Sequence, residues 1–186
     1  MANSQKLIEI LSEVIAGDMA NQNSIIQFFL NNNYLGGWEG WLQVTYARAI
    51  ASYERYNQFD REKQYPGIGQ KCDLWFQPQR GAEMWVELKA QRRANYTNTV
   101  VDFGGDVLKL MSLGTDFRSL NVTAAMAVLV LSDGDRQILN AYRAQSPSGR
   151  LNYYLYSQQS PNWTDVTDSI LTVQTNSLML ITFRPV

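Results

Sequence analysis

The residues with the most chemical content lie in two short segments, KCDLWF at 71–76 and EMWVELKAQ at 83–91. Both read as β-strands, about 71–77 and 84–91, with turn chemistry from Pro78 to Gly81 between them. Side chains alternate between the two faces of a strand. Cys72, Leu74 and Phe76 therefore share one face, and Lys71, Asp73 and Trp75 the other. On the next strand Met84, Val86, Leu88 and Ala90 share the apolar face, and Trp85, Glu87, Lys89 and Gln91 the opposite one. A symmetric hairpin centred on Arg80 sets Trp75 opposite Trp85 and Asp73 opposite Glu87. Opposed residues have Cβ atoms about 5 Å apart, and two carboxylates that close repel unless a positive charge stands between them. The Lys89 ammonium is one candidate and a divalent cation is the other. Carboxylate oxygens suit Mg²⁺, with Mn²⁺ as a substitute. Such an ion polarises a phosphate and acidifies a water, while Lys89 orients that water or stabilises developing charge. The plainer alternative is a solvated strand face with an ordinary salt bridge. The two tryptophans on the same face favour a covered cleft.

These strands need neighbours to hold them. Leu7, Ile8, Leu11, Val14 and Ile15 recur at helical spacing and predict a helix over 4–16, stopped at Gly17. Asn23 and Ser24 cap a short second helix through Leu30. A long helix follows over 38–57, with Trp38, Trp41, Leu42, Thr45, Ala49, Ile50 and Tyr53 as its apolar stripe, Glu39 and Gln43 one turn apart beside it, and Asn57 and Asp60 at its end. A first strand is expected at 61–65. After a polar stretch at 92–102, Gly104-Gly105 opens a helix over 105–114, on which Asp106 and Lys109 read as a surface pair. TAAMAVLVL at 123–131 reads as a fully buried strand. Asp133 caps a helix over 134–145, and strands are expected at 150–157 and 177–184, with 158–176 as loop or weak helix. The order predicts one mixed α/β domain, a central mixed sheet flanked by helices. It divides into an N-terminal helical pair (1–33), a core (38–131) and a C-terminal helix with strands (132–186).

Composition narrows the chemistry. The 186 residues include no histidine and one cysteine. That excludes Ser-His-Asp and Cys-His catalysis, His general bases, and zinc sites of the His or multi-Cys kind. Hydrolysis must then run on carboxylates, lysine, hydroxyls or an oxygen-bound metal. Net charge is −1, so nucleic-acid binding needs a local basic patch. No 18-residue apolar run predicts a membrane span. The N-terminus carries Glu9 and Glu13 within its apolar pattern and reads as a helix rather than a leader. A cytoplasmic protein is the expectation.

Asp73, followed on the next strand by Glu87-Leu88-Lys89, resembles the motif of the PD-(D/E)xK nuclease superfamily, the restriction-endonuclease-like fold. The family motif is Asp on one strand and Glu/Asp-x-Lys on its neighbour, often with a Glu on the preceding helix. Glu39 in GGWEGWLQ matches that helical Glu, and Cys72 stands where the family often has proline. The resemblance covers about 38–131. It implies Mg²⁺-dependent phosphodiester hydrolysis, with Asp73 and Glu87 as metal ligands, the Leu88 carbonyl as a further one, Glu39 as an auxiliary one and Lys89 acting on the attacking water.

Arg92, Arg93, Asn95, Tyr96 and Asn98, just past this motif, form a basic and aromatic patch able to hold phosphates and stack bases, while Gln91, a polar strand end or a substrate contact, and Gln43 are further substrate-side candidates. DNA is the expected partner, and the fold analogy is compatible with a homodimer. Two other readings stay open: a binding or regulatory protein on the same fold with an inactive site, and a nuclease toxin domain paired with a protein inhibitor or immunity partner.

Overall fold

The computed structural model describes residues 3–31, 38–53, 55–91, 96–145, 149–157 and 162–185. Asn3 opens the first helix, α1 (Ser4–Met19), by accepting the Lys6 N–H on its side-chain oxygen at 2.8 Å. Gly17 does not stop this helix, because Met19 carries the buried stripe of Leu7, Leu11 and Ile15 one turn further. Asp18 and Ser24 together cap α2 (Ile25–Asn31). The Asp18 carboxylate accepts the Ile25 and Ile26 N–H groups, and the Ser24 hydroxyl accepts that of Gln27.

The long helix, α3 (Trp38–Tyr53), buries Trp38, Leu42, Tyr46 and Ile50. It ends before the expected 57, and Asn57 and Asp60 belong instead to an edge strand, β1 (Tyr56–Arg61). This corrects the strand expected at 61–65. Glu62, with φ of 57°, ends β1, and the chain loops back through a single bridge between Gln64 and Lys71. Gly67 and Gly69 adopt positive φ at the tip of that loop, a region open to glycine at little cost. The next strands, β2 (Leu74–Pro78) and β3 (Met84–Ala90), pair antiparallel with Trp75 opposite Trp85, the register the hairpin reading requires.

The following helix, α4 (Tyr96–Ser112), starts well before the expected 105, so Gly104 and Gly105 lie inside it. Gly104 is where α4 meets the helix Asp133–Gln145, α6. A Cβ there would stand 2.5 Å from the Tyr142 hydroxyl oxygen. A short helix not expected from the sequence, α5 (Thr115–Leu120), leads into β4 (Val122–Val130), which runs parallel to β3. Ser132, not Asp133, caps α6. Its hydroxyl accepts the Asp135 N–H while the Asp135 carboxylate accepts the Ser132 N–H. The chain closes with β5 (Gly149–Ser157), β6 (Asn162–Asp165), a 3-10 helix at Thr167–Thr172 and β7 (Leu178–Pro185).

The described strands form one seven-stranded mixed sheet in the order β1-β2-β3-β4-β7-β5-β6, an α/β architecture with helices on both faces. On one face α1 and α3 pack on Leu74, Phe76, Val86, Leu88, Met126 and Val128. On the other, α4 and α6 pack on Trp85, Ala125, Ala127, Leu129 and Ile181. Three alanines of β4 keep both surfaces shallow at the centre of the sheet, where the helices sit. Cys72 is buried as expected but lies with Tyr65 and Trp75 on the α4 face, not beside Leu74. Strict alternation fails there because β2 begins only at Leu74.

Candidate functional site

The site forms where β3 outruns β2. Pairing between them covers Leu74 to Phe76 against Met84 to Val86 and goes no further. Beyond Val86, β3 has β4 on one side only. The Gln91 N–H bonds the Val128 carbonyl of β4, so the even-numbered amides of this stretch point to the opposite, open edge. Two carboxylates take the place of the missing strand. Asp73 Oδ2 accepts the Leu88 N–H at 2.7 Å, and Glu39 Oε2, from the first turn of α3, accepts the Ala90 N–H at 3.1 Å. The N–H and C=O of an extended residue face the same side, so the Leu88 carbonyl opens to this edge as well.

The odd-numbered side chains of β3 face α4. Glu87, 1 % exposed, accepts the Tyr65 hydroxyl and the Lys109 ammonium on Oε1, both at 2.9 Å. Lys89 Nζ lies 3.3 Å from Asp73 Oδ2 and 3.4 Å from Asp106 Oδ2. Lys109 Nζ lies 3.0 Å from Asp106 Oδ1. Carboxylates and ammonium groups thus alternate from Asp73 through Lys89, Asp106 and Lys109 to Glu87. Oxygens of Asp73, Glu87 and Asp106 fall within 4.8 Å of one another. The assembly borders an open cavity of about 570 Å³, lined among others by Glu39, Gln70, Lys89, Asp106 and Lys109.

Burial and crowding set the protonation of these groups. Glu87 is pushed up to about 8, first by desolvation and then by the Asp106 and Asp73 carboxylates, against the pull of Lys109. Burial draws Lys89 down, but Asp73, Asp106, Glu39 and Glu87 outweigh it and hold the ammonium above its ordinary range. Lys109 is raised against its own desolvation in the same manner, by its hydrogen bond to Glu87 first. Tyr65 is raised by burial and then by the charge of Glu87, which keeps its phenol a donor. Burial, then Glu87 and Asp73, pushes the Cys72 thiol up to about 12 and removes it as a nucleophile.

The oxygen donors fit a hard divalent cation. Among the described residues nothing donates a hydrogen bond to two buried carboxylate oxygens, Glu87 Oε2 and Asp106 Oδ2. Such atoms are costly unless a cation or water completes them.

The structure therefore brings Asp73, Glu87, Lys89, Leu88 and Glu39 to one place. Gln43 is corrected: it is buried on α3, and its side-chain oxygen accepts Arg61 Nη2 at 2.6 Å, away from the cavity lining. Gln91 is also a strand-end clamp rather than a cavity residue. It is 4 % exposed, its Oε1 accepts the Val130 N–H at 2.7 Å, and its backbone carbonyl accepts the Trp38 indole N–H. Arg92, Arg93 and Asn95 lie outside the described residues, as do the side chains of Asn98 and of Tyr96, whose backbone opens α4.

Asp106 and Lys109, expected as a surface pair, belong to the site instead, and Asp106 is 5 % exposed. A signal for this was present. Thr99, Phe103, Asp106, Leu110 and Leu113 recur at alternating four- and three-residue steps, which puts Asp106 on the buried face of α4. Tyr65 carried no such mark, because it reaches Glu87 from an irregular loop. Comparisons with protein-family models, with curated proteins and with solved structures give no match.

Proposed function

We propose that the chain is a Mg²⁺-dependent nuclease of the PD-(D/E)xK type, hydrolysing phosphodiester bonds of DNA as an endonuclease. The observation that carries this reading is the clustering of Asp73, Glu87 and Asp106 oxygens within 4.8 Å of one another, with Lys89 paired to Asp73, Glu39 on the adjoining Ala90 amide and two buried carboxylate oxygens that accept no hydrogen bond from the described residues, beside a cavity that Glu39, Lys89 and Asp106 line. The order of the elements supports it: a Glu-bearing helix, an Asp at the head of one strand, Glu-x-Lys on the next, then a helix and an apolar parallel strand.

Asp73, Glu87 and the Leu88 carbonyl would hold the cation, with Asp106 and Glu39 at its margin. The ion supplies Lewis acidity toward a phosphate oxygen and a lowered pKa for water. Lys89, held as an ammonium, orients the attacking water and stabilises negative charge on the phosphorus oxygens. Tyr65 and Lys109 fix Glu87 through one oxygen and leave the other without a hydrogen bond from the described residues.

Purified protein with Mg²⁺ or Mn²⁺ is expected to cut plasmid or linear DNA, and EDTA, Asp73→Ala or Glu87→Ala to abolish the cutting. Activity that survives either substitution overturns the assignment. A second reading, a nucleic-acid-binding or regulatory protein with an inactive site, has one observation in its favour: both lysines already lie against the carboxylates. Absence of Mn²⁺ uptake by calorimetry, together with no cleavage of DNA or RNA, would favour it. A toxin domain with an immunity partner predicts growth arrest on expression that Glu87→Ala relieves.

A further inference from the structure

The two lysines of the site are held unequally. Lys109 Nζ has three acceptors, Glu87 Oε1 at 2.9 Å, Asp106 Oδ1 at 3.0 Å and the Lys71 carbonyl at 3.2 Å. An ammonium has three N–H donors, so this one is saturated. Lys89 Nζ has two carboxylates at 3.3 and 3.4 Å, beyond the usual 2.7–2.9 Å of a charge-assisted bond, and it is the more exposed of the two. Asp106 is shared between them. Its Oδ1 goes to Lys109, while its Oδ2 has, among the described residues, the long ion pair to Lys89 and no hydrogen bond.

The cluster is thus divided. In one half, Glu87 Oε1 and Asp106 Oδ1 are closed by the Lys109 ammonium. In the other, Glu87 Oε2 and Asp106 Oδ2 are buried and accept no hydrogen bond from the described residues, Asp106 Oδ2 keeping only the 3.4 Å ion pair to Lys89. Where nucleases and phosphatases use two metals, the ions stand about 3.5–4 Å apart and share carboxylates. Here a lysine already sits across the shared pair.

Building on the nuclease reading, we infer that Lys109 is a resident cation in the second metal position, so that the centre takes up one divalent ion per chain and not two. A second ion would have to expel Lys109 and strip Glu87, Asp106 and the Lys71 carbonyl of their donor at once.

Titration of the full chain with Mn²⁺, followed by calorimetry and by electron paramagnetic resonance of the bound ion, tests this. The wild-type chain is expected to bind one Mn²⁺ with the six-line spectrum of an isolated ion. Lys109→Met is expected to bind two with a spin-coupled spectrum, and Lys109→Arg to stay at one. A coupled pair in the wild type overturns the inference, as does a folded Lys109→Met chain that still binds one ion. If Lys109→Met does not fold, the wild-type count and spectrum decide alone. A wild-type chain that binds no Mn²⁺ removes the nuclease reading and this inference together. A wild type that binds two ions and cuts DNA removes only the inference.

Discussion

The two halves of β3 share a strand and differ in company. Residues 84–86 have β2 on one side and β4 on the other, and their side chains are wholly buried apolar groups. Residues 87–90 keep β4, but Asp73 and Glu39 stand where a strand would. The paired half stabilises the fold through area removed from water. In the unpaired half, carboxylates and lysines are gathered at a density that no stability argument favours, because buried ion pairs barely recover their desolvation cost. A sheet that stops early on one side yields rigid backbone and an accessible edge at the same point, and the chemistry gathers there.

Substitutions should separate the halves. The largest effect is expected in the unpaired one. Asp73→Asn and Glu87→Gln keep side-chain shape and should lower DNA cleavage to background without the melting loss of a core truncation. Melting losses as large as those of a core truncation would erase the distinction. In the paired half, Trp85→Ala deletes a 2 %-exposed indole that stacks on Tyr65, and urea unfolding should show a loss of roughly 3–5 kcal/mol. Lys89→Met should slow cleavage roughly 10²–10³-fold, the scale of losing one charge-stabilising donor, while Mn²⁺ affinity changes little. A loss that falls on affinity instead would make Lys89 a structural counter-ion.

The pH dependence is smaller and has a definite sign. Glu87 is raised from its ordinary 4.5 to about 8, so the native chain holds this proton more tightly than the unfolded one. Its stabilising contribution is full below about 4.5 and drains as pH rises through about 8. Wild type should lose stability relative to Glu87→Gln across that window, by at most about 1.4 kcal/mol per pH unit, and Mn²⁺ should flatten the difference. The smallest effect is expected at Gln43. Its alanine variant loses the bond to Arg61, a cost of about 1 kcal/mol in unfolding, and should cut DNA at the wild-type rate.

The motif was legible because alternation and a symmetric turn are local. Trp75 opposite Trp85 follows from the centre of the hairpin, and Asp73 then falls level with Glu87 even though β2 stops short of it. What lay hidden depended on distant packing. A strand exposed on both faces has no period of two, so β1 looked like the end of a helix. Two glycines looked like a helix start. Each costs about 1 kcal/mol in a helix interior, but the close approach of Tyr142 to Gly104 and the burial of Val100, Phe103 and Leu110 outweigh that. With the start of α4 misplaced, Asp106 fell in its first turn rather than opposite Lys89.

The carboxylates on the open edge of β3 have a consequence for self-association. An unpaired strand edge is a template for any extended chain that can bond to it. Here the Leu88 and Ala90 amides are already engaged by Asp73 and Glu39, and an incoming strand would have to displace two side chains that repel its own carbonyl oxygens. The same two residues that occupy the amides of this edge guard it against strand addition.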